Sequence, residues 1–278
     1  MNDEHKRSPR PGGGGRPRAG GSGRPQRRDD TSRGSGRPGG DRRRPRPEPE
    51  IRTEDQQIYD GPPIPDDISA KDLDRQVRDQ LRSLPEKLAD RIAKHLIMAG
   101  MLIEEDPERA YKHALAARAR SQRSAVIREA VGETAYAAGK FAEALAELRT
   151  ARRLSGRHDY APMMADCERA LGRPEKALEY DTPKVREALE QAGSVELSIV
   201  VAGARRDLGQ ISAALNLLES EPLHSAARED WVARLRYAYA DTLLAADRRD
   251  EAVEWFHRTI AVDANDVTDA EARLAELS

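Results

Sequence analysis

Five short passages of the sequence share one layout: a turn, two or three polar residues, then an alanine that opens an apolar helical face. They read EDPERAYKHAL, GKFAEALAEL, GRPEKALEYD, GQISAALNLL and DRRDEAVEWF. The shared alanines are Ala110, Ala144, Ala177, Ala214 and Ala252, spaced 34, 33, 37 and 38 residues apart. A period of that size confines the chain to architectures in which one supersecondary unit recurs and buries its apolar face only against its neighbours. No segment alternates apolar and polar residues with the β-branched richness of a strand, so the units are helical and the expected class is all-α.

The flanks of the repeat fit the same scheme. Leu73, Val77, Leu81 and Leu84 recur every three or four residues behind Ser69 and Asp72, a capping-box spacing, and predict an amphipathic helix over 69–84. Pro85 then opens a longer helix to about Glu104. At the far end Thr268 and Glu271 have capping-box spacing, and Leu274 and Leu277 are placed to cover the last apolar face. Two breaks are expected. Pro183 falls inside the second helix of the third unit and should stop it near Asp181, with an extra short helix over PKVREALEQAG; Glu221 and Pro222 should shorten the second helix of the fourth.

A period near 34 residues, built from two helices with a small residue fixed on the second, resembles the tetratricopeptide repeat family. The unit over 125–158 carries the resemblance best. Gly132 stands at the small position of its first helix, Gly139 at the turn, Phe141 just after it, and Ala144, Leu148 and Ala151 along its second helix. Ala165, Ala202 and Ala240 hold the position of Gly132 in later units, and Met98 in the first. The resemblance implies a right-handed α-α superhelix of about five helical pairs, near 91–124, 125–158, 159–191, 195–228 and 233–266, with capping helices near 69–84 and 268–277. Small residues suit that packing because two helices can cross closely only where side chains are short.

Composition divides the chain before the repeats begin. Residues 1–50 hold 14 basic and 7 acidic side chains, 11 of the 20 glycines and 8 of the 17 prolines, and their only apolar side chains are Met1 and Ala19. A net charge of +7 there leaves −9 for the rest of the 278 residues. Such a segment cannot offset the entropy of ordering and is expected to be a disordered basic tail, followed by an extended linker over 51–67 where Pro62, Pro63 and Pro65 cluster. Cys167 is the only cysteine, which excludes an internal disulfide, and no apolar run suits a secretory leader or a membrane span. A cytoplasmic protein without membrane attachment is expected.

Catalysis requires a nucleophile with a base, a shielded carboxylate pair or a metal set, and none is legible. No two of the six histidines lie three or four residues apart, and the glycines at 12–15 have no flanking strand and helix. Cys167, among Met164, Ala165 and Ala170, reads as a small apolar residue. No enzymatic activity, cofactor, metal or small-molecule substrate is expected. Binding remains. The solenoid implied by the resemblance has a concave groove lined by the first helices, with Glu129, Glu133, Tyr136, Asp166, Arg169, Arg206, Tyr237 and Asp241 facing into it. Tyrosines among carboxylates there suit a protein or peptide partner carrying basic residues. The Lys, Arg and Asn cluster with which some family members grip a chaperone's C-terminal carboxylate is missing.

The alternative partner is RNA or the ribosome, reached through solvated guanidinium groups at Arg16, Arg18, Arg24, Arg27, Arg28, Arg37, Arg42, Arg43, Arg44 and Arg46. A further arginine run, Arg118, Arg120, Arg123, Arg128, Arg149, Arg152, Arg153 and Arg157, either complements helix C-termini or forms an anion-binding edge.

Overall fold

The computed structural model describes residues 53–277, and among them are fourteen α-helices, one short 3-10 turn and no strand. Two short helices come first, α1 (Glu54–Asp60) and α2 (Arg75–Leu81). Paired helices follow: α3 (Glu86–Leu102) with α4 (Pro107–Arg120), α5 (Ala125–Ala137) with α6 (Phe141–Ser155), and α7 (Ala161–Ala170) with α8 (Pro174–Leu178). An extra helix α9 (Pro183–Ala188) precedes the pairs α10 (Gln191–Asp207) with α11 (Ile211–Glu219) and α12 (Asp230–Ala245) with α13 (Arg249–Ile260), and α14 (Ala270–Glu276) closes the series. Each pair closes on itself and packs on the pair that follows it. The result is an all-α superhelix of stacked helical pairs.

The alanines that set the period are the points of closest packing. Ala110, Ala144, Ala177, Ala214 and Ala252 are all fully shielded from solvent, as are Ala165 and Ala240. At Gly132 even a methyl group is too large, since a Cβ there would lie 2.5 Å from Cγ and Cδ2 of Leu148. Around these crossings the larger side chains interlock: Leu148, Met164 and Leu197 in the middle units, and Leu218, Leu235, Leu243 and Phe256 in the last two. Each such side chain contributes about 1.5–3 kcal/mol by leaving water.

One turn recurs between the two helices of a unit. Gly139 and its equivalents Gly172 and Gly209 adopt positive φ, and the next residue donates its N–H back across the turn, as Lys140 does to the Ala135 carbonyl at 2.8 Å. The same bond joins Arg248 to Leu243 at 3.0 Å in the last unit, but there the left-handed residue is Asp247, with φ of 60°. Backbone sterics make this conformation costly for a side chain. Asp247→Gly is therefore expected to raise the unfolding free energy by a few tenths to about 1 kcal/mol, and Gly139→Ala to lower it by about 1 kcal/mol, in urea denaturation.

The prolines act as the sequence predicts. α8 stops at Leu178, Pro183 begins α9 behind the Thr182 cap, and α11 ends at Glu219 ahead of Glu221 and Pro222.

Three expectations about the flanks need correction. Residues 51–67 are not an extended linker throughout, because Thr53 and Gln56 form a reciprocal capping box that starts α1. That helix lies against α4, where the Arg120 guanidinium donates to the Tyr59 carbonyl and sits 4.3 Å from the centre of its ring. Residues 69–84 do not form one helix. The Ser69 and Asp72 box caps a single 3-10 turn, Leu73 is extended, and Asp74 starts α2 by accepting from the backbone of Gln76 and Val77. Leu73, Val77, Leu81 and Leu84 still cover the first pair, packing on Ile92 and Leu96. Thr268 does not cap α14 with Glu271 either: its N–H and hydroxyl both donate to Asp263. Leu274 and Leu277 nevertheless pack on the last core.

Candidate functional site

The first helices of successive units carry a ladder of hydrogen bonds that runs from one unit to the next. On α5, Glu133 accepts from the Tyr160 hydroxyl at 2.6 Å and the Tyr136 hydroxyl donates to Asp166 of α7 at 2.6 Å. Arg169 of α7 bonds Asp166 at 3.1 Å and reaches Asp207 at the end of α10 at 2.9 Å. It does so by lying across Gly203, where a Cβ would come within 2.6 Å of its guanidinium carbon. Arg206 of α10 then donates to Asp241 of α12 at 2.6 Å, and Arg273 of α14 donates to the other oxygen of Asp241 at 3.0 Å. Glu196 and Arg234 add an ion pair at 3.0 Å between α10 and α12.

Six of the eight residues expected in the groove thus stand in three sets of partners, Glu133 with Tyr160, Tyr136 with Asp166 and Arg169, and Arg206 with Asp241, and Tyr237 lies beside Asp269. Glu129 is buried one turn before Glu133, and burial pushes both carboxyls above the usual range, against Arg157 near Glu129 and the Tyr160 hydrogen bond at Glu133. Burial also raises the Tyr136 and Tyr237 phenols, helped by the Tyr136 bond to Asp166 and by Asp269 beside Tyr237. Glu133, Asp166 and Asp241 are each held by tyrosine or arginine partners. At the C-terminal end of the ladder a cavity of about 560 Å³ opens between α7, α10, α12 and the segment 267–269. Ile199, Gly203, Tyr237 and Ala238 supply its apolar wall, with Arg206, Arg234 and Asp241 around it.

Sequence reasoning missed Tyr160, Glu196, Asp207, Arg234, Asp269 and Arg273. A signal for several of them was available. Ladder partners such as Tyr136 and Asp166, Arg169 and Asp207, and Arg206 and Asp241 are 30, 38 and 35 residues apart, close to one repeat period.

The second arginine run is used mainly inside the fold. Arg118 and Arg128 grip the two oxygens of buried Glu147, and Arg149 pairs with Glu168, which is also buried. Arg173 reaches the other oxygen of Glu168 at 2.7 Å, an ion pair whose N–H is not aligned for a hydrogen bond. Arg157 pairs with Asp159. Arg152 and Arg153 have no carboxylate partner of this kind among the described residues. The tail arginines from Arg16 to Arg46 lie outside the described residues.

Cys167 is buried, and burial pushes its thiol up to about 12, so it stays protonated at neutral pH. Among the described residues no cluster of three or more His, Cys, Asp or Glu could hold a metal ion, and no helix is long and apolar enough to cross a membrane.

No protein-family model matches the chain, and no curated protein matches it. Among solved structures it is similar to one described as the crystal structure of the APC/C hetero-tetramer Cut9-Hcn1, at 14% identity and a TM-score of 0.38. That match covers 81% of this chain and 46% of the other, so the chain spans about half the length of the protein it resembles. The class of the molecule, an all-helical repeat protein, rests on its own stacked pairs.

Proposed function

We propose that the chain is a non-enzymatic interaction scaffold that holds a segment of a partner protein along the face of its first helices. The observation that supports this most is the cavity of about 560 Å³ at the end of the ladder, where an apolar wall meets hydrogen-bonding groups already fixed by their neighbours. Preorganised groups lose little entropy on binding, so a partner whose polar atoms align with them gains affinity from few contacts. An extended segment or a helix can lie there, with one apolar side chain against Ile199 and Ala238 and polar groups toward Arg234 and Asp241.

A photocrosslinking amino acid placed at Tyr237 is expected to give one discrete covalent partner in the source cell, whereas the same probe at exposed Asn216 on α11 gives none. Arg234→Glu should abolish the product, because it sets two carboxylates against each other at the rim of the cavity. Equal labelling from Tyr237 and Asn216, or a product indifferent to Arg234→Glu, excludes the groove.

A further inference from the structure

The third unit departs from the rest on the side of the second helices. α4, α6, α11 and α13 have 14, 15, 9 and 12 residues, whereas α8 has 5, because the chain must turn before Pro183. Beside this truncated helix and the C-terminal half of α6 is a cavity of about 550 Å³. Arg149, Arg152 and Arg153 line one wall, and Lys176, Tyr180 and Lys184 the other.

The charges in this cavity are not balanced as they are in the ladder. Arg149 is committed to Glu168, which Arg173 also holds, and Glu179 is the only other carboxylate in the lining. Arg152 lies 6.0 Å from the centre of the Tyr180 ring, and Arg153 bonds only Thr150 of its own helix, at 2.7 Å. Lys176 and Lys184 form no ion pair among the described residues. A helix dipole accounts for Arg152 and Arg153, in the last turn of α6. It does not account for Lys184, which sits in the first turn of α9, where the dipole opposes a cation. Like charges lining one cavity repel, and that cost is relieved when a dianion enters.

We propose that this cavity binds a phosphorylated segment of a protein partner, with the phosphate seated between Arg152 and Arg153 on one side and Lys176 and Lys184 on the other. Opposed Arg and Lys side chains supply charge-assisted hydrogen bonds to several oxygens of one phosphate at once. A nucleic acid fits the site less well. It would require a track along successive phosphates and open aromatic faces, whereas these cations gather around one local, half-open depression and Tyr180 is 8% exposed. The site shares with the groove reading only the premise of a protein partner; it uses other helices and is tested apart from it.

The test uses the full chain and three fluorescent probes: a short acidic peptide with one phosphoserine, the same peptide with serine, and a single-stranded oligouridylate. Their binding is followed by anisotropy in about 0.15 M salt, which shortens the reach of exposed charges. The triple variant Arg152→Gln/Lys176→Gln/Lys184→Gln should melt like the parent and bind the phosphopeptide about tenfold more weakly, with little change for the serine peptide. Bound phosphopeptide should also protect Lys176 and Lys184 from acetylation by an amine-reactive ester. Arg234→Glu, which disables the groove, should leave these results unchanged. Equal phosphopeptide affinity in parent and triple variant overturns the proposal, as does a larger loss for oligouridylate than for phosphopeptide.

Discussion

A chain carrying Arg149→Ala together with Arg173→Ala is expected to lose about 3 kcal/mol or more of unfolding free energy, far beyond the sum of the two single substitutions. The reason lies in the asymmetry of the triad. The Glu168 side chain is 1% exposed, whereas its arginine partners are 43% and 40% exposed. Removing either arginine leaves the carboxylate one partner, so each single change should cost about 1 kcal/mol or less, as for a partly solvated pair. Removing both leaves a buried charge with neither water nor a counter-ion. Arg149 belongs to α6 and Glu168 to α7, so the loss loosens the joint between the second and third units. Adding Glu168→Met to the double variant should recover most of the stability, because an apolar side chain of similar length needs no partner. Urea denaturation of the four variants measures this; additive, small losses would show that water reaches Glu168 once the arginines are gone.

The period was legible because it is written in small residues at unavoidable crossings. Ala144 and Ala252 are fully buried, so a larger side chain there must push its neighbours apart, and the sequence marks each such position whatever surrounds it. The breaks at Pro183 and Pro222 were legible for a similar reason, since proline acts through its own covalent geometry. The termini were harder. Ser69 and Thr268 both stand three residues before an acid, yet the first caps one 3-10 turn and the second turns back to Asp263. A capping spacing reports that a helix can start; the competing acceptor five residues upstream decides whether it does. α1 was hidden by the prolines behind it, and its attachment needs Arg120, 61 residues further along the chain.

The site followed the same division. Placing Tyr136, Asp166, Arg169, Arg206 and Asp241 together required only the helical register. Their pairing required the offset between units, which the sequence carries only as distances near the repeat period. For that reason the partners of Glu133, Asp166 and Asp241 could not be named in advance. The cationic cavity beside α8 shows the converse: the break at Pro183 was readable, but not which charges would line the space beside it.

Stability is expected to fall by about 2–4 kcal/mol between pH 6.5 and about pH 5, through two histidines that the sequence kept apart. His95 of α3 and His113 of α4 are 18 residues apart, on helices that pack side by side, and their Nδ1 atoms stand 3.0 Å from each other with no exposed surface. Burial lowers His95 from 6.5 to about 3, assisted by Arg120, His113 and Arg91 and opposed by the nearby Asp60 backbone. Burial likewise lowers His113 to about 4, assisted by Arg109 and Arg91. Both rings are therefore neutral in the fold, and one must donate to the other. The unfolded chain takes up protons below about 6.5 while the folded chain does not, so this stabilisation is complete above that pH and is withdrawn as pH falls toward the folded values. Each ring can withdraw up to about 1.4 kcal/mol per pH unit, and less where solvent screens it. The fold of α1 is exposed first, since its C-terminal Gly61 lies so close to His95 that a Cβ would meet the ring at 2.7 Å. Urea midpoints at several pH values test this against His95→Phe/His113→Leu, which removes both titrations and should flatten the slope across that window. Most carboxylates titrate lower, near pH 4, and Glu129 and Glu133, which burial raises, contribute alike to parent and variant, so a parent curve as flat as the variant's would mean that the pair is already protonated or solvated at neutral pH.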